Sequence, residues 1–198
     1  MLTNKLELKR GTYRPTVCYA AKKVFNVIAF EPDPYAIYIL YENVKSNNLS
    51  NVHLINEAVS KKNGILRMAS FGNSLGDSQT SSLVGSKGKC FYVKTKSIND
   101  FSQEVEKIDF LKMDIEGGEF DLIPQMEKFF IKHRPILYIS FHSPYLELER
   151  RKDALMNIKV LLSKYYQTFK NERMEIVETS IIASVNSGQT FFSLICEP

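Results

Sequence analysis

The chain has 198 residues, 44% of them hydrophobic, which suits one domain with a single filled core, since compact domains commonly run to ~100–200 residues. Twenty-six basic against twenty-two acidic side chains leave a formal charge of +4; the cations are scattered among acids, which argues against a nucleic-acid partner. Met1 to Arg10 lack the apolar core of a secretory signal, and no stretch approaches the ~20 apolar residues of a membrane span, so a soluble, cytoplasmic protein without a membrane partner is expected. Cys18, Cys90 and Cys196 are far apart and lack the C-x-x-C spacing of a zinc or redox site. They read as reduced, buried thiols.

In chain order, Leu6 and Leu8 are poor material for a central strand, and Gly11 follows in a stretch, Lys9 to Thr16, with little other glycine. Val27 to Phe30 is a short apolar run of the kind that forms a parallel strand covered on both faces. Asp33 can cap a helix whose first turn accepts Pro34, with Ile37, Leu40, Tyr41 and Val44 on one face. Val52 to Val59 reads as the next strand. Ile65–Met68 and Phe91–Lys94 read as hairpin arms, joined by a long Gly/Ser-rich segment from Phe71 to Lys89 that is either a flexible surface loop or a lid.

Asp109 to Glu116 reads as a further strand, ended by a sharp turn at Gly117 and Gly118. Phe120, Ile123, Met126 and Phe130 then make an apolar helical stripe, with Glu119 and Asp121 near its electropositive start. Pro135 to His142 is another apolar strand, and Leu146 to Tyr166 an amphipathic helix with Leu155, Ile158, Leu162 and Tyr165 inward. Met174–Val177 and Thr190–Cys196 are expected to close the fold as an antiparallel pair. Alternating strands and helices predict a Rossmann-like, doubly wound, mostly parallel sheet in three α/β/α layers, with an inserted hairpin and an antiparallel C-terminal strand. Residues 1–198 form one domain in this reading, with 1–25 a degenerate or incomplete first strand and loop. Ligands of such sheets sit outside the carboxyl ends of the strands.

At those ends the informative residues gather. Glu31 closes a buried strand, where a carboxylate can accept hydrogen bonds from both hydroxyls of a ribose; the plainer alternative is a helix-start acid. Lys112, Asp114 and Glu116 alternate with Leu111, Met113 and Ile115, so the pleat puts three ionisable groups on one face. Buried, they need partners, which favours a catalytic site or a Lys112–Asp114 ion pair. Asp114, Glu116 or His142 could act as a base at a strand end, with His142 having the ordinary pKa best suited to neutral conditions, unless it merely bonds a loop. A metal is not expected, because no His/Cys ligand pattern accompanies Asp114 and Glu116. His53 and His133 lie at the opposite ends of their strands and read as structural.

The motifs Val27-Ile-Ala-Phe-Glu-Pro-Asp-Pro34, Glu42-Asn-Val44, Asn47-Asn-Leu49, Glu57-Ala-Val-Ser60 and Asp109-Phe-Leu-Lys-Met-Asp-Ile-Glu-Gly-Gly-Glu119 together resemble the FkbM-type methyltransferases. The resemblance, from about Val17 to about His142, implies S-adenosylmethionine as cofactor and O-methylation of a sugar or other small hydroxyl-bearing metabolite. It further implies that Glu31 holds the ribose, that Asn56, Glu57 and Ala58 border the adenine, and that Gly11 and Asp114 belong to the cofactor site; Glu57 could equally be a solvated loop carboxylate. The departure is at the start, where the family's D-x-G-A-x-x-G loop is reduced to Gly11, with Lys9 at the place of the acid. Arg14 and Pro15 would crowd that loop, and Lys9 would repel the cationic end of the cofactor. Either the chain begins late relative to its relatives or cofactor binding is weakened or lost. A degenerate relative serving as a binding or assembly module, and a homo-oligomer paired through a sheet edge left open by a poor first strand, follow as alternatives.

Overall fold

The computed structural model describes residues 4–9, 15–70, 80–81, 90–184 and 190–198. In chain order the elements are β1 (Asn4–Lys9), α1 (Pro15–Ala21), β2 (Asn26–Phe30), α2 (Pro34–Ser46), β3 (Val52–Ile55), β4 (Ala58–Ser60), β5 (Gly64–Ser70), β6 (Thr80–Ser81), β7 (Cys90–Ser97), α3 (Ile98–Glu104), β8 (Phe110–Asp114), α4 (Glu119–Leu122), α5 (Glu127–His133), β9 (Ile136–Phe141), α6 (Leu148–Tyr165), β10 (Thr168–Lys170) and β11 (Phe192–Glu197). The main sheet runs β10-β11-β9-β8-β1-β2-β3, and a second sheet runs β4-β7-β5-β6. From β9 to β3 the main sheet is parallel; β11 joins β9, and β10 joins β11, antiparallel. This is the doubly wound architecture read from the alternation of strands and helices.

The first strand corrects the sequence reading. β1 is central, pairing Leu6 with Ile28 on one side and Leu111 on the other, and Leu8 with Phe30 and Met113. Backbone groups hydrogen-bonded on both edges hold a strand in place even where its side chains are weakly apolar. β1 therefore leaves no edge open, and the argument for a homo-oligomer through that edge lapses.

Helices cover both faces. Val17, Ala20 and Ala21 of α1 and Leu40 and Val44 of α2 pack on Val27 and Ala29 of β2. On the other face, Leu111, Met113, Leu137, Ile139 and Phe141 meet Ile98, Phe129, Phe130, Leu155, Ile158 and Leu162 in the larger core. The α2 stripe is Ala36, Leu40 and Val44, while Tyr41 is exposed. The four-residue step keeps the buried positions on one line, whereas a phenol at 41 reaches solvent with its polar tip.

Three further readings are revised. Val52–Val59 is not one strand: Asn56 and Glu57 break it, so β3 ends the main sheet and β4 pairs parallel with β7. The helix after the Gly117–Gly118 turn is interrupted at Ile123–Gln125, a 3-10 turn containing Pro124, because a proline nitrogen cannot continue the ladder. β11 pairs with Thr168–Lys170, and Ile176 makes only an isolated bridge to Lys170. The hairpin arms pair as read, with Leu66 opposite Val93 and Arg67 opposite Tyr92. Apart from Thr80 and Ser81 of β6, the segment from Phe71 to Lys89 lies outside the described residues, as does Gly11 with its loop. Among the described residues the three cysteines form no disulfide, and Cys18 is half-buried. Cys196 is buried, but Cys90 is exposed and accepts a hydrogen bond from Arg67 at 2.7 Å. No helix among the described residues is long and apolar enough to cross a membrane.

Candidate active site

The carboxyl ends of β2, β1 and β8 meet at one rim. Phe30 pairs with Leu8, and Lys9 pairs with Asp114, so Glu31, one residue past Phe30, stands level with Asp114 across β1. Two strand spacings put their backbones ~10 Å apart. The strand order reverses here: from β1 the chain winds outward through β2 and β3, then returns to β8 on its other side, the crevice where open α/β sheets bind ligands.

On the β2 side, Glu31 is 1% exposed and its Oε1 accepts the backbone N–H of Asp33 at 3.0 Å. Asp33 is equally buried and caps α2, accepting from Tyr35 N at 2.9 Å and Ala36 N at 3.0 Å. Asp33 is thus the cap of α2, while the Glu31 carboxylate braces the turn just before it, so the helix-start alternative for Glu31 stands beside the ribose role. Asn56 donates its side-chain amide to the carbonyls of Glu31, at 2.8 Å, and Pro32, at 3.3 Å. It clamps the β3 end to the β2 end. Beside this clamp lies a cavity of about 570 Å³, lined by Pro32, Pro34, Leu54, Ile55, Asn56, Glu57, Tyr92, Val93 and Lys94, a size suited to a small-molecule site. Ala58 turns its side chain into a small core with Met68 and Val93, which leaves only its backbone for a ligand. Another cavity, about 440 Å³, lies between the β4–β5 turn and Gly118 and Asp121; neither Glu31 nor Asp114 lines either cavity, but the first adjoins Glu31 through Pro32 and Asn56.

On the β8 side, Lys112 donates to Asp114 Oδ2 at 3.0 Å and lies 5.6 Å above the Tyr138 ring. The ion pair foreseen as an alternative is present, and Asp114 Oδ1 faces His142 Nε2 at 3.7 Å. Glu116 Oε2 is 3.5 Å from the same nitrogen. Glu116 has φ 53° and Gly117 φ 95°; a left-handed glutamate stores strain of the kind that collects at functional sites. A side chain at Gly118 would be tight, since a Cβ would lie 3.1 Å from Ile115 Cδ1 and 3.3 Å from its carbonyl. The left-handed pair Glu116 and Gly117 thus makes the reversal at the end of β8.

Sequence reasoning missed the residue that orders this side. Glu119, read as a helix-start acid, is fully buried; Oε2 accepts from Gly117 N at 2.9 Å, and Oε1 accepts from His142 N at 2.6 Å and His142 Nδ1 at 3.0 Å. A carboxylate accepts only, so Nδ1 carries the hydrogen. Burial alone would lower the His142 pKa, but the bond to Glu119 and the charges of Glu119, Glu116 and Asp114 hold it above its ordinary value. Tyr145 stacks on the His142 ring at 5.7 Å and Phe191 meets it edge-on at 5.6 Å. The spacing of acids at 114, 116 and 119 was the available signal; the aromatic wall gave none.

The remaining histidines sit apart. His53 is exposed on β3. His133 is buried, with Nδ1 accepting from Ile108 N at 3.2 Å and Nε2 2.9 Å from Ser102 Oγ. Burial, aided by the charge of Lys132, pushes its pKa down to about 4, so it is a neutral structural group.

A family model for the methyltransferase FkbM domain matches residues 9–173. Among solved structures, a methyltransferase FkbM from Methylobacillus flagellatus KT is similar at TM-score 0.57 and 16% identity, over 98% of this chain and 43% of that one. A methyltransferase-type protein from Streptococcus mutans, solved in complex with S-adenosylhomocysteine (SAH), is similar at TM-score 0.54 and 13% identity, over 98% of this chain and 88% of that one. An rRNA methylase from Streptococcus thermophilus is similar at TM-score 0.53 and 13% identity, over 99% of this chain and 86% of that one. The chain thus spans less than half the length of the Methylobacillus protein, and at such identities these likenesses speak for the fold. Among curated proteins, none matches. Sheet order, rim and family model agree: the chain belongs to the methyltransferase FkbM domain family.

Proposed function

We propose that the chain is a S-adenosylmethionine-dependent O-methyltransferase acting on a small hydroxyl-bearing metabolite, such as a sugar. The observation that carries this reading is that Glu31 and Asp114 end adjacent parts of one carboxyl rim, with a nucleoside-sized cavity on one side and an acid–histidine cluster on the other.

The described residues fit the adenosyl half of the cofactor. Glu31 is the carboxylate positioned for ribose hydroxyls, and the cavity beside Asn56 and Glu57 has space for a base. When bound, S-adenosylmethionine supplies an electrophilic methyl group on sulfonium. The rim formed by Asp114, Glu116 and His142 orients the acceptor hydroxyl and offers oxygen and nitrogen atoms to which its proton can pass as the new O–C bond forms. Alignment in a dry pocket provides most of the acceleration in such a displacement, and Tyr145 and Phe191 supply an apolar wall beside His142.

Calorimetric titration with SAH, followed by transfer of labelled methyl from S-adenosylmethionine to a panel of hydroxylated small molecules, tests the reading. Micromolar SAH affinity supports it. Absence of binding at ~1 mM SAH, a free energy weaker than about −4 kcal/mol, favours the scaffold alternative. In a folded Asp114→Asn variant, unchanged turnover would remove that carboxylate from the proton path.

A further inference from the structure

We propose that Asp114 Oδ1, Glu116 Oε2 and His142 Nε2 form a binding site for one divalent cation that accepts both carboxylate oxygen and imidazole nitrogen, with Mn²⁺ the best match. The three side chains come from separate places in the sequence and converge so that their ligand atoms lie within 4.8 Å of one another. Nε2 is 3.7 Å from Oδ1 and 3.5 Å from Oε2. Those separations are long for charge-assisted hydrogen bonds. They are close to the ~3–4 Å that separates neighbouring ligand atoms around an ion with bonds of ~2.1 Å.

The surrounding groups aim each ligand atom. Nδ1 of His142 donates to Glu119, so in the neutral ring Nε2 presents a lone pair toward two carboxylate oxygens. A buried carboxylate behind the far ring nitrogen is the arrangement that fixes tautomer and orientation in metal-binding histidines. Glu119 is itself immobilised, fully buried and bonded to Gly117 N. Lys112 occupies Oδ2 of Asp114, which turns Oδ1 toward His142. The left-handed backbone at Glu116 returns that side chain to the cluster instead of letting it follow α4 outward.

Two carboxylates and one imidazole leave further coordination positions for water or for the oxygens of an acceptor, since hard divalent ions take about six ligands. A cation there would make a neighbouring hydroxyl more acidic, so that a weak base could take its proton. The cation site stands on these three atoms alone; its service to the acceptor rests on the methyltransferase reading.

The test titrates Mn²⁺ alone into the chain and follows free Mn²⁺ by electron paramagnetic resonance, with thermal unfolding measured alongside. One Mn²⁺ per chain and a Tm that rises with Mn²⁺ are expected, since a ligand of the native state alone stabilises it. Saturable uptake should vanish in the Asp114→Asn/Glu116→Gln double variant. It should weaken ~10–100-fold in Glu119→Gln, which retains all three ligands but loosens His142. No uptake by the unmodified chain at ~1 mM Mn²⁺, or uptake unchanged in a double variant whose circular dichroism matches the parent, overturns the site. SAH titrated into the metal-free chain separates the two ideas: SAH binding without Mn²⁺ uptake removes the cation and keeps the methyltransferase, and the converse does the reverse.

Discussion

Glu119 and His142 are joined twice through one oxygen: Glu119 Oε1 accepts both the backbone N–H and the ring Nδ1–H of His142, at 2.6 and 3.0 Å. The bond links the start of α4 to the end of β9, so the loop after one strand sets the ring orientation after the next. Glu119→Gln keeps one carbonyl oxygen for the His142 donors, but its NH2 group then faces the Gly117 N–H, donor against donor, so the side chain can no longer hold both ends of the link. Turnover should fall ~10–100-fold, the range found when an orienting partner behind a histidine is changed. SAH affinity, which depends on the β2 side, should stay within a few-fold. Steady-state kinetics and SAH calorimetry on the same preparation check both halves.

Glu31 acts on that other side. Its carboxylate is held by Asp33 N and its backbone by Asn56, which positions it before any ligand arrives. Charge-assisted hydrogen bonds contribute about 1.5–3 kcal/mol each, so Glu31→Ala should weaken SAH binding by at least ~10-fold. Equal SAH affinity in the two proteins would remove the ribose assignment.

Asp33 separates structure from binding at the same turn. With two backbone N–H groups of α2 on one oxygen, Asp33→Ala should cost about 0.5–2 kcal/mol of stability, the usual worth of an N-cap. The urea midpoint measures it, and an unchanged midpoint would show the cap to be dispensable.

His133 predicts acid sensitivity. Its pKa is about 4 in the folded chain against 6.5 as the ordinary value, so the unfolded chain takes up a proton first as pH falls. Its contribution is fully present above about pH 6.5 and is lost as pH falls through the folded value. The shift corresponds to about 3 kcal/mol. Urea unfolding at pH 7, 5.5 and 4.5 should show that loss in the unmodified chain and much less of it in His133→Gln.

The sequence by itself determined the layered α/β plan, because apolar runs bounded by turn signals at β2, β8 and β9 suit buried strands alternating with helices, and α6 shows its period plainly. It also determined that Glu31, Asp114, Glu116 and His142 lie at carboxyl strand ends, since each follows directly on such a run. Tertiary structure decided the rest. Leu6 and Leu8 give β1 too little apolar signal to reveal a strand whose place is fixed by hydrogen bonds to β2 and β8. The separation of β3 from β4 and the choice of β10 as partner of β11 depend on which backbone edges are open, and local composition does not encode that. Above all, Glu119 reaches His142 across 23 positions: a carboxylate at a helix start has the same local signature whether it faces water or a histidine, and only the packed chain brings the two together.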